Sequence, residues 1–77
     1  MKTAFVFAQV GDAQNLGALH NSLHGVQGVK TVYFLAGPTD VIMQVEYEDT
    51  DGLMATVGKI RAVQGVASTD TRIVLPV

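Results

Sequence analysis

The sequence predicts an α+β domain in which a duplicated βαβ unit folds as a four-stranded antiparallel sheet with two helices on one face. The first supporting observation is an internal repeat. At a shift of 37 residues Val26-Gln27-Gly28-Val29 falls on Val63-Gln64-Gly65-Val66, with Asp12 on Asp49, Leu16 on Leu53, Ala18 on Ala55 and Leu23 on Ile60. The second is that each half begins with an apolar run rich in strand formers. The third is that each run is followed by leucines or their equivalents at helical spacing. The period suits one βαβ unit, and two copies are too few for a solenoid.

The elements follow in order. Ala4 to Val10 is a short apolar run rich in strand formers and is read as the first strand. Asp12 is placed to cap the first helix, its carboxylate accepting from free N–H groups of the first turn. Leu16, Leu19 and Leu23 form the buried stripe of that helix, which Gly25 and Gly28 stop. Thr31 to Leu35 is the second strand, and Gly37-Pro38-Thr39-Asp40 has turn composition. Val41 to Tyr47 is the third strand. Asp49 caps the second helix, whose buried stripe is Leu53, Val57 and Ile60. Gly65 ends that passage, and Ser68 to Leu75 is the fourth strand. Two right-handed crossovers joined by a hairpin interleave into one sheet, the ferredoxin-like βαββαβ plan.

Helices on one side leave the other sheet face without cover. Phe5 and Phe7 alternate with Val6, Ala8 and Val10, and Ile42 alternates with Val41 and Met43. A sheet with one wet face should alternate apolar with polar residues instead. Burying a phenylalanine is worth ~1.5–3 kcal/mol, so Phe5, Phe7 and Ile42 are expected to be covered by a second copy of the chain.

Bulk composition narrows the function classes. At 77 residues the chain is read as one domain, residues 1–77. It has no cysteine, which removes disulfides, thiolate metal sites and cysteine nucleophiles. No run approaches the roughly 18 apolar residues of a membrane helix, and no signal-peptide pattern opens the chain. A cytoplasmic setting is expected. The net charge is −2, and Lys2, Lys30, Lys59, Arg61 and Arg72 are scattered, unlike the clustered basic charge of a nucleic-acid binder. Hydrophobic residues reach 48% and charged residues only 16%, a composition that favours self-association over a solitary small domain.

Few motifs point to chemistry. His20 and His24 have the i, i+4 spacing of a metal pair, but Asn21 stands where a zinc protease needs glutamate and no third ligand follows. His20 is read as a packing residue and no metal is expected. Glu46, Glu48, Asp49 and Asp51 lack calcium-loop spacing and are read as a solvated strand end leading into a helix cap. Phe5 and Phe7 sit on a central strand, as the aromatics of RNA-recognition domains do, but the third strand here is acidic where such a platform is basic. They are read as oligomer core. No phosphate loop or activated nucleophile is present, and no cofactor is expected. Asp40, with the hydroxyls of Ser68, Thr69 and Thr71, could meet the ammonium and carboxylate of an amino acid. Asp40 is expected at the sheet edge, off the aromatic face, and the three hydroxyls as a ladder along the last strand. An aspartate that bonds its own turn and ordinary strand threonines are the bland alternatives.

Taken together, the chain resembles the stand-alone ligand-binding (RAM) domain of the Lrp/AsnC family over nearly all its length. Three stretches carry the resemblance. They are Gly25 to Val29 leading into Val32-Tyr33-Phe34, then Gly37 to Val45, and finally Ile60 to Leu75. The sequence departs from the family pattern at Thr39, where an aromatic is usual, and at Gln64, where proline is usual. The resemblance implies dimers packed through their sheets, rings of dimers, and amino-acid effectors bound between dimers. It places ligand contacts at Gly37, Thr39 and Asp40 and at Ser68, Thr69 and Thr71. The family's regulators carry an N-terminal helix-turn-helix; none is seen here, so direct DNA binding is not expected. The expected role is a non-enzymatic effector-binding domain that modulates transcription through full-length relatives. Two alternatives compete. A small dimeric α+β-barrel enzyme, of the cofactor-free monooxygenase or isomerase type, would use a cavity inside the protomer with His20 or Asn21. An ACT-like module would bind its ligand near Gly11 and Asp12.

Overall fold

The computed structural model describes residues 1–11, 15–36 and 40–77. The order is β1 (Lys2–Val10), α1 (Leu16–His24), β2 (Val29–Phe34), β3 (Asp40–Tyr47), α2 (Thr50–Arg61) and β4 (Val66–Ile73). The strands form one antiparallel sheet in the order β2-β3-β1-β4. This is the ferredoxin-like arrangement expected from the repeat.

Strand alternation decides what each face does. Ala4, Val6, Ala8 and Val10 of β1 and Val41, Met43, Val45 and Tyr47 of β3 are all buried. They form one core with Leu19 and Leu23 of α1 and Leu53, Val57 and Ile60 of α2. Both helices therefore lie on this side. Leu16 departs from the expected stripe. It begins α1 and is 47% exposed, because the first helical turn extends past the edge of the core. The expected cap of α1 at Asp12 lies outside the described residues. The observed cap is Asn15, whose side-chain oxygen accepts from the Ala18 N–H at 3.0 Å. Asp49 caps α2 as expected, accepting from the Gly52 N–H at 2.7 Å.

The duplication is visible bond by bond. After α1, the N–H of Val26 donates to Leu23 and that of Val29 to Val26; after α2, Val63 donates to Ile60 and Val66 to Val63. Each donor and acceptor is displaced by the same 37 positions that align the two halves of the sequence. Gly28 and Gly65 occupy the same place in the two turns with φ of +100° and +103°, a region that L side chains rarely adopt. Even the strand irregularity repeats. Pairing shifts between Val29 and Thr31 on β2 and opposite Gln9 and Val10 on β1, leaving Lys30 and Ala67 as the extra residues of two bulges.

Gly28 is also crowded. A Cβ there would stand 3.0 Å from the Thr56 Oγ1, which itself donates to the Gln27 carbonyl, and 3.3 Å from the Glu46 carbonyl oxygen. Gly28→Ala should cost ~1–3 kcal/mol from the backbone conformation alone, with the crowding added. Gly58, inside α2, has open space around its missing Cβ. Gly58→Ala should stabilise by ~0.5–1 kcal/mol. Urea denaturation checks the pair, and equal effects at the two sites would contradict this reading of the turn.

Candidate ligand site

The register lays out the sheet face opposite the helices row by row. Tyr33, Ile42, Phe7 and Asp70 are cross-strand neighbours, and beside them run Thr31, Gln44, Phe5 and Arg72. Aromatic and aliphatic side chains thus occupy its centre. Phe5, Phe7 and Ile42 are half-buried rather than bare. Part of the cover comes from Arg72, whose guanidinium lies 5.3 Å from the Phe7 ring centre and pairs with the Asp70 carboxylate at 3.0 Å. Tyr33 is 61% exposed and extends the apolar row to the edge strand. The sequence reading missed it because β2 mixes polar and apolar positions.

At one end of this face the row changes character. Gln9 is paired on one side with Asp40 and on the other with Ser68. Paired residues share a face, so Asp40 lies at the end of the aromatic face. This corrects the expectation that Asp40 stands off it. The reason is alternation: Asp40 is two residues before Ile42 on the same strand. The Leu35 N–H donates to the Asp40 carbonyl at 2.9 Å and closes the hairpin that presents the carboxylate.

An open depression of about 480 Å³ lies here, with Asp40, Gln9, Ser68 and Thr69 in its lining. Phe7 and Leu35 supply apolar walls, and Asp70 with Arg72 a charged rim. Two expected ligand residues, Asp40 and Ser68, are therefore brought together across the sheet, and Thr69 adjoins Ser68 in the lining. The hydroxyl ladder is not formed as expected. Ser68 pairs with Gln9 on the open face, whereas Thr69 and Thr71 pair with Ala8 and Val6, whose side chains point to the helices. Thr71 does not line the depression. Gly37 and Thr39 lie outside the described residues. Gln9 was not singled out from sequence, since only the register reveals that it bridges Asp40 and Ser68.

The other candidates lie away from this depression. His20 stacks on His24 and tilts against Phe34, each with ring centres 5.9 Å apart, and is partly buried. Among the described residues no three metal-ligating side chains gather. Asp49 is spent on the α2 cap, and Glu46 pairs loosely with Lys30 at 4.0 Å. Two further depressions open beside α2, one near Lys30 and Lys59 and one near Arg61 and Ala67. Neither His20 nor Asn21 lines any of the three. Gly11 lines none of them, and its N–H donates to the Gly65 carbonyl. Asp12 lies outside the described residues. No described helix is long and apolar enough to cross a membrane.

Residues 3–76 match the family model described as the Lrp/AsnC ligand binding domain. The chain belongs to this family. As an Lrp/AsnC domain it has a structural counterpart from Thermus thermophilus, 27% identical, with a TM-score of 0.85 and coverage of 100% of this chain and 96% of the other. The feast or famine regulatory protein of M. tuberculosis, complexed with L-methionine, shares the fold at 22% identity and a TM-score of 0.80. There the match covers all of this chain but 52% of the regulator. Among curated proteins, a homocitrate synthase of Sulfurisphaera tokodaii is 40% identical over 58 residues, 75% of this chain. The match spans only 13% of that enzyme's length, so the similarity concerns a small segment of it.

Proposed function

We propose that the chain is a non-enzymatic effector-binding domain for an amino acid, active as a homo-oligomer built through its open sheet face. The observation that carries the reading is the convergence of Asp40 and Ser68 on one depression in a chain of the Lrp/AsnC ligand-binding family. Asp40 supplies the anion for a ligand ammonium. The polar groups at the far side of the depression supply donors for its carboxylate. Methionine bound to the M. tuberculosis relative supports an amino-acid ligand. Regulation of transcription would then be exerted through full-length relatives that carry DNA-binding elements.

The sheet face supports the assembly. The molecule measures 36 × 21 × 17 Å, and its broad side is comparable with the ~800 Å² that each partner gives to a standard interface. The aromatic centre and the polar Asp40 row at the end fit the apolar core and wet rim of such contacts.

A thermal-shift screen of the twenty amino acids tests the function. A ligand at about 100 times its Kd stabilises by ~2.7 kcal/mol, and a domain of this size gains ~4–8 °C per kcal/mol. One or a few amino acids should therefore raise Tm by roughly 10 °C or more. No shift with any of them would refute the proposal. A second expectation concerns DNA. With net charge −2, the isolated chain should give no gel shift that weakens steeply with salt; such a shift would count against action through relatives.

A further inference from the structure

We infer that Gln9 is the specificity-determining residue of the effector site: its side-chain amide reads the ligand's carboxylate next to Asp40, restricting the site to α-amino acids. This inference rests on the amino-acid reading above. The register places Gln9 between Asp40 and Ser68 on the open face, one strand spacing from each, or about 4.8 Å. An α-amino acid carries its two charges on adjacent groups. Neighbouring positions in one cross-strand row suit it, one for each charge. Thr71 is two positions along β4 from Thr69, pairs with Val6 on the other face, and is not placed to share a ligand with Asp40.

The donors in the depression can be sorted. Arg72 stands two same-face rows from Gln9, opposite Phe5; its Nε and Nη2 donate to the Asp70 carboxylate at 3.2 and 3.0 Å, and its guanidinium carbon lies 5.3 Å from the Phe7 ring centre. The Ser68 hydroxyl points its proton at the Gln9 Oε1 across a long 3.4 Å contact. With the Gln9 Oε1 taken by Ser68, the amide NH2 is left as the donor for a carboxylate, which accepts and cannot donate. Ser68 therefore acts through Gln9 as a positioning residue. Gln9 also follows Phe5 and Phe7 as the polar end of the open-face series on β1, and it adjoins the bulge opposite Val10. Bulges are over-represented beside binding sites because they re-aim neighbouring side chains.

The test uses the L-amino acid that most raises the melting temperature of the wild-type chain, together with its α-amide, which keeps the ammonium and lacks the carboxylate. Calorimetric titration of wild type should favour the free acid over the amide by at least tenfold. Gln9→Glu preserves length and the acceptor for Ser68 but replaces the donor with a like charge. It should weaken the free acid at least tenfold while leaving the amide unchanged or bound more tightly. Ser68→Ala should reduce the free-acid preference several-fold, and Ser68→Thr should restore it. Loss of acid and amide in equal measure in Gln9→Glu, or no change in either, would overturn the role of Gln9 and leave the amino-acid reading standing. Wild type that binds none of the twenty amino acids would remove that reading, and the inference with it.

Discussion

Phe5→Asp should turn the assembly into a monomer. Phe5 lies at the centre of the open face, between Gln44 and Arg72, and does not line the depression. A phenylalanine gains ~1.5–3 kcal/mol on burial, and a carboxylate pressed into the same apolar contact costs several kcal/mol more when unpaired. In a two-fold dimer each change is made twice. The interface therefore loses more than enough to move dissociation from submicromolar into the millimolar range, at about 1.4 kcal/mol per tenfold. The protomer itself should stay folded, because Arg72 is the cross-strand neighbour of position 5 and can pair with the new charge. Light scattering at micromolar concentration should give a multiple of 8.2 kDa for wild type and a single-chain mass for the variant. A wild-type chain that is already monomeric would remove the interface.

Asp40→Asn should weaken amino-acid binding by at least tenfold, about 1.4 kcal/mol. The size of the effect depends on water. Asp40 is exposed in the single chain, where an ion pair is worth only ~0.2–1 kcal/mol. Truncating one partner of a desolvated pair costs ~2–5 kcal/mol. A tenfold loss is therefore expected only if a second copy and the ligand together exclude water from the end of the sheet. The asparagine keeps the shape and can still accept local hydrogen bonds, so folding should not change. Because Asp40 sits at the rim of the aromatic face, the oligomer should also persist. Titration with the best amino acid checks this, and unchanged affinity would remove Asp40 from the site.

Much of the fold was legible because the repeat constrains it twice. A 37-residue shift that superposes Gly28 on Gly65 anticipated two turns of the same hand, and both glycines have φ of +100° or slightly more. Asp49 was legible as a cap because a helix with its apolar stripe in register follows at once. Asn15 was not, since Asp12 and Asn15 both carry a capping oxygen and only the start of α1 separates them. The aromatic face was legible from period-2 alternation. What alternation along one strand could not supply is pairing between strands. The registers that set Gln9 between Asp40 and Ser68, and Tyr33 beside Ile42, are long-range pairings that no pattern along one strand announces. The same limit explains the hydroxyls: Ser68, Thr69 and Thr71 look like a ladder in sequence, yet the adjacent Ser68 and Thr69 must face opposite sides.

The most direct test of the site is a titration of the isotope-labelled chain, followed by amide chemical shifts, with the amino acid found in the thermal screen. The largest changes should fall on Gln9, Asp40, Ser68 and Thr69, saturating at one ligand per chain. Changes centred on His20 and Asn21, or on Gly11, would contradict an effector site at the end of the open sheet face and favour a pocket elsewhere in the protomer.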